Sequence, residues 1–193
     1  MLQWLKLVLP GLFIVILSAV LVVAEEVALD EEFGNEGLVI TKLGSRVDQA
    51  TSIGVQDDGK IVVAGSSDNG MGSNMAVIRY LPDGSVDHEF DFSAGGSLGS
   101  VYADDSVNAV AFDDNGSILL GGTLTVDGYR RGVVARLLGN GQLDVSFGEN
   151  GVAYLDVDSL ESVDSEIGDI VTDQMGRIVV TGFTAEEEKE RPL

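Results

Sequence analysis

The chain has no cysteine, three prolines, a single histidine and only 11 basic residues in 193. Without cysteine there are no disulfides, no thiolate metal ligands and no cysteine nucleophile. His88 alone cannot build a zinc site of the usual several-ligand kind. In the repeated motif described below its place is taken by Glu31 and Val145, so a tolerated surface residue is the plain reading. Few bases against 32 acids leave a formal charge of −21, a field that repels phosphate backbones and anionic headgroups and argues against nucleic acid as a partner. What is present is enough apolar material for a core, 45% of residues, and 25 glycines that point to many tight turns.

The N-terminus reads as a targeting segment. Met1 to Lys6 carries one positive charge, and Leu7 to Ala24 then runs without any, interrupted only by Pro10, Gly11 and Ser18. Val22 and Ala24 offer a cleavage site just before Glu25 and Glu26, so residues 1–24 are expected to be a signal peptide, with an uncleaved membrane anchor through residues 7–24 as the alternative. Either way the body is expected to lie outside the cytoplasm, secreted, periplasmic or at the cell surface.

Residues 25–184 are read as tandem repeats. Leu29-Asp30-Glu31-Glu32-Phe33-Gly34 returns as Val86-Asp87-His88-Glu89-Phe90 and as Leu143-Asp144-Val145-Ser146-Phe147-Gly148, at intervals of 57. Asp58-Gly59-Lys60-Ile61-Val62-Val63-Ala64-Gly65 returns 57 residues later as Asn115 to Gly122, and after a further 60 as Met175 to Gly182. Ala76-Val77-Ile78-Arg79-Tyr80 matches Val133 to Leu137. Three segments sharing one period mark a repeat architecture, with copies over 29–85, 86–142 and, in part, 143–184. The charged stretch 185–193 reads as a solvated tail.

Each copy is built of short β-rich runs between glycine turns, with no sustained helical period. Asp58-Gly59, Asp83-Gly84 and Asn140-Gly141 suggest hairpins closed by two-residue type I′ turns, in which Met175 would strain the third copy by about 1 kcal/mol. The runs Ile61 to Ala64, Ile118 to Leu120 and Ile178 to Val180 do not alternate with polar residues, so each is expected to be covered on both faces. Gly65, Gly122 and Gly182 mark places where the backbone bends or meets a neighbour. The expected fold is therefore all-β, tandem β-propeller-like blades, about two complete and one partial, with a β-solenoid as the competing architecture.

The Leu-Asp-x-x-Phe-Gly opening, the Asp-Gly-Lys-Ile-Val-Val-Ala-Gly hairpin and the Ala-Val-x-Arg-Tyr strand resemble the Delta-60 repeat family of bacterial surface and secreted proteins, over Leu29 to about Thr184. The resemblance implies a propeller-like fold and no catalytic residue to transfer. Asp91, in place of the glycine after Phe90, and Met175 depart from the pattern.

Candidate site residues are few. Arg79 and Arg136 recur at one position, as do Asp30, Asp87 and Asp144, and repetition favours Arg–carboxylate scaffolding contacts within or between units over a single active site. Asp104-Asp105, Asp113-Asp114 and Asp156 with Asp158 could hold calcium, although no segment matches a spaced calcium loop and a solvated acidic surface is the simpler reading. No catalytic or cofactor-binding residue is assigned. The expected function is a non-catalytic extracytoplasmic module, a binding or structural scaffold for a protein or glycan partner, forming part of a larger propeller. Its incomplete blade edges could also self-associate. The alternative is a carboxylate-dependent enzyme acting on extracellular polysaccharide.

Overall fold

A computed structural model describes residues 28–43, 46–92, 104–155 and 164–185. The expected leader, the charged tail beyond Ala185, and Asp156 with Asp158 lie outside the described residues. Among the described residues there are nine strands: β1 (Asp48–Val55), β2 (Ile61–Asp68), β3 (Ser73–Tyr80), β4 (Ser106–Phe112), β5 (Ile118–Val126), β6 (Tyr129–Leu137), β7 (Val152–Tyr154), β8 (Ser165–Thr172) and β9 (Ile178–Thr184). They form three antiparallel sheets in chain order, β1-β2-β3, β4-β5-β6-β7 and β8-β9. No described residue is helical.

The sheets stack face to face, which is what the apolar runs require. Val62, Ala64, Met75 and Val77 of the first sheet meet Ile118, Leu120 and Ala135 of the second in one buried layer. Ala109, Leu119 and Val134, on the second sheet's other side, meet Ile167 and Ile170 of the third. The second sheet is thus covered on both sides, and Ile118, Leu119 and Leu120 are all fully buried. The expectation of two covered faces fails for the outer sheets. Along β2 buried and half-buried residues alternate, and Val179 in β9 is 46% exposed. A continuous apolar run is buried twice only where a sheet lies on each side.

The hairpin turns correct a second expectation. In each of the turns Gln56–Gly59, Asp113–Gly116 and Asp173–Gly176 the glycine N–H donates to the carbonyl three residues back, at 2.9 Å. Only the glycine is left-handed, with φ of 82°, 77° and 72°. This is a type I turn followed by a left-handed glycine, the usual three-residue hairpin loop, and Leu81–Gly84 and Leu138–Gly141 repeat it. Met175 therefore occupies an ordinary right-handed position and strains nothing. Gly65, Gly122 and Gly182 behave as expected: a Cβ on any of them would strike the carbonyl oxygen of Gln49, Ser106 or Glu166 on the paired strand.

Those close approaches accompany a bulge at one repeat position. The register slips around Thr51 in β1, Asn108 in β4 and Gly168 in β8. The bulge turns the first two side chains toward the next sheet. Thr51 Oγ1 donates to the Val107 carbonyl, and Asn108 Nδ2 donates to the Ile167 carbonyl at 2.8 Å.

Candidate functional site

The repeated charges converge on one motif. In β3, Arg79 Nε donates to Asp87 Oδ2 at 2.8 Å, its guanidinium lies 4.6 Å from the centre of the Phe90 ring, and both charged side chains are 5% exposed. The turn Leu81–Gly84 reverses the chain between them, so residues eight apart meet. One repeat later Arg136 Nε donates to Asp144 Oδ2 at 2.8 Å and the guanidinium stacks 4.5 Å from Phe147. In each copy the aspartate also shapes the turn it begins. Glu32, Glu89 and Ser146 N–H groups donate to Asp30, Asp87 and Asp144, and the backbone N–H of Phe33, Phe90 and Phe147 donates to the same aspartates' carbonyls. Eight residues before Asp30 stands Val22, not arginine.

The motif also joins blades. Arg79 Nη1 donates to the Gly139 carbonyl at 2.6 Å, in the turn that follows β6. A backbone bond reinforces the junction: Asp91 N–H donates to the Asn140 carbonyl at 2.9 Å, as Gly34 N–H does to that of Asp83 at 2.8 Å. Asp91 stands at the repeat position of Gly34 and Gly148, which are left-handed with φ of 61° and 52°, but its own backbone is not left-handed and a side chain is tolerated there. Arg136 and Asp144 make the same ion pair but are 26% and 16% exposed, since no described turn covers them.

The electrostatics follow from these partners. Burial works to raise the Asp87 pKa, but the Glu89 amide, Arg79 and the Lys60 ammonium at 3.4 Å together hold it below the usual carboxylate range. Asp144 is held low by Ser146 first, then, against burial, by Arg136. Both are therefore fixed anions, suited to holding a guanidinium and unsuited to giving up a proton near neutral pH. Asp105 differs. Burial pushes its pKa up, opposed by the Thr125 N–H that donates to it at 2.7 Å.

The acidic clusters are not assembled into one site. Asp104 is exposed while adjacent Asp105 is 2% exposed, so the pair does not face a common ligand. Asp113 accepts the N–H groups of Asn115 and Ser117 and closes its own turn. Together with Asp57, Asp58 and Asp114 it lines an open cleft between successive turns. Among the described residues no three acidic or imidazole groups come together in a way that could hold a metal ion. His88 is exposed. Sequence reading missed the bulge residues Thr51 and Asn108, whose shared position is their only signal.

Two stretches of the chain, residues 56–90 and 114–147, match the model of a family described as a domain of unknown function (DUF5122), beta-propeller. Each stretch spans a hairpin and ends at the phenylalanine of the Arg–Asp–Phe motif. The repeat is thus of a β-propeller kind. No curated protein matches the chain.

Proposed function

We propose that the chain is a non-catalytic extracytoplasmic scaffold, a run of propeller blades of the Delta-60 type that forms part of a larger propeller and presents loops to a protein or glycan. The observation that carries this reading is the use made of the repeated polar side chains. Arg79 with Asp87 and Arg136 with Asp144 form the same ion pair, each stacked on the phenylalanine that follows, and Arg79 also bonds to the turn of the next blade. A catalytic centre needs a unique constellation with a group free to exchange a proton, whereas a scaffold needs the same contact in every unit. The apolar segment before Glu25 supports export. The described residues form three sheets where propellers close with about four to eight blades, which supports membership of a larger ring.

The test is a thermal-shift screen of the exported chain against calcium and a panel of glycans, followed by turnover assays on every hit. The reading predicts ligand-induced shifts without turnover. Cleavage of a polysaccharide that depends on an aspartate of the chain would overturn it in favour of a carboxylate enzyme.

A further inference from the structure

Among the described residues the two ends of the stack are largely open, with only Thr41 and Leu43 beside the outer face of the first sheet, and each end repeats a face that is buried elsewhere in the same chain. On the outer side of the first sheet Ile53 and Val55 are 67% and 64% exposed, with Val63 and Ile78 half-buried beside them. Advanced by 57 residues these become Val110, Phe112, Leu120 and Ala135, which pack against the first sheet. On the outer side of the third sheet Val171 and Val179 are 52% and 46% exposed. They occupy the repeat positions of Ala111 and Leu119, which pack against the third sheet. The second sheet therefore shows both halves of a contact whose two halves also stand open at opposite ends of the molecule.

We propose that these ends bind each other between copies, the outer face of β8 and β9 in one molecule packing on the outer face of β1 to β3 in the next. The occupant is a second copy because the chain already makes this junction twice, between its first and second sheets and between its second and third. Such a contact is head-to-tail and builds a ring or an open array according to the angle between blades. In that arrangement Leu38–Ile40 of the neighbour would lie at the edge of the third sheet, one strand beyond β9, because β7 in the second sheet pairs with β6. That segment holds the repeat position of β7, yet among the described residues Val39 and Ile40 join no sheet, and Ile40 is 89% exposed.

The register is defined. A Cβ on Gly54 would lie 2.7 Å from the Phe112 ring, so position 54 faces position 112 across the first junction. The repeat then sets Val171 opposite Val55 of the next copy. One part of the junction is lacking. Gly168 stands where Thr51 and Asn108 donate to the following sheet, and contributes no side chain. The association between copies is accordingly weaker than that between sheets of one chain. There is room to supply the missing donor, because the nearest atom to a Cβ on Gly168 is the Thr181 carbonyl oxygen at 3.8 Å.

This inference rests on the propeller-segment reading and is tested separately from it. The chain lacks cysteine, so single cysteines report contacts cleanly. V55C and V171C, both at exposed positions, are prepared as full chains in detergent micelles and mixed under mild oxidation. A V55C–V171C heterodimer forming at least about tenfold faster than either homodimer supports the proposal. In an association assay G168N should bind about fivefold tighter, the effect of one net hydrogen bond. Faster V55C homodimers would mean that like faces pair and would overturn the proposal. Equal, slow cross-linking of all species would overturn it too, while leaving the scaffold reading, which falls instead on turnover.

Discussion

Replacing Arg79 with methionine probes the contact on which blade joining depends. Methionine keeps most of the side-chain length and can still lie on Phe90, but it removes three things at once: the bond to Asp87, the bond to the Gly139 carbonyl, and the counter-charge of a carboxylate that is 5% exposed. Breaking a buried ion pair by removing one partner costs about 3–5 kcal/mol. Lys60 remains 3.4 Å from Asp87 and offsets part of the loss, which puts R79M near the lower figure, about 3 kcal/mol. At roughly 2–4 °C per kcal/mol for a chain of this size, melting followed by circular dichroism should fall by about 6–12 °C. R136M and R136E, acting on a more exposed pair, should lower it by less. The pH dependence adds an independent check. Because Asp87 titrates below its ordinary value in the folded state, its contribution is present above the unfolded pKa near 3.8 and is lost as pH falls through the folded value. The gap between wild type and R79M should therefore narrow below about pH 3.8. Equal losses for R79M and R136M, or a gap that widens in acid, would refute the reasoning.

Other consequences are simpler to check. G122A should be strongly destabilising in chemical denaturation, by about 3 kcal/mol or more, since the added methyl meets the Ser106 carbonyl on the paired strand and the ladder must open. D105N should raise the melting temperature at pH 7 and leave it nearly unchanged in acid. The raised Asp105 pKa means that its protonated form suits the folded state, an advantage present below the unfolded pKa and lost as pH rises through the folded one. M175N should shift stability by less than about 0.5 kcal/mol, because only Gly176 in that turn needs a left-handed backbone.

The strands and turns were legible in the sequence because they are encoded locally. A glycine beside Asp or Asn marks a reversal, and a β-branched run marks the strand that follows it. The turn type was not legible, since Asp58-Gly59 suits both a type I′ turn and a type I turn ending in a left-handed glycine, and the loop length decides between them. Coverage of the apolar runs depends on neighbours rather than on composition. Ile118 to Leu120 and Ile178 to Val180 read alike, yet only the first lies between two sheets. The Arg and Asp sets stood out by repetition, but the pairing of Arg79 with Asp87, across the boundary drawn between copies, follows from the turn at Leu81–Gly84. Thr51 and Asn108 could not be found by residue type, because a hydroxyl and an amide do the same work at one bulge.

The fold centres on a sheet shielded from both sides by copies of itself. Native-state hydrogen exchange across the nine strands tests this most directly. The slowest amides should lie in β5, exchanging only with global unfolding, while those of β9, in a two-stranded sheet with an uncovered face, should exchange much faster. Equal protection of β5 and β9, or protection greatest in β9, would contradict it.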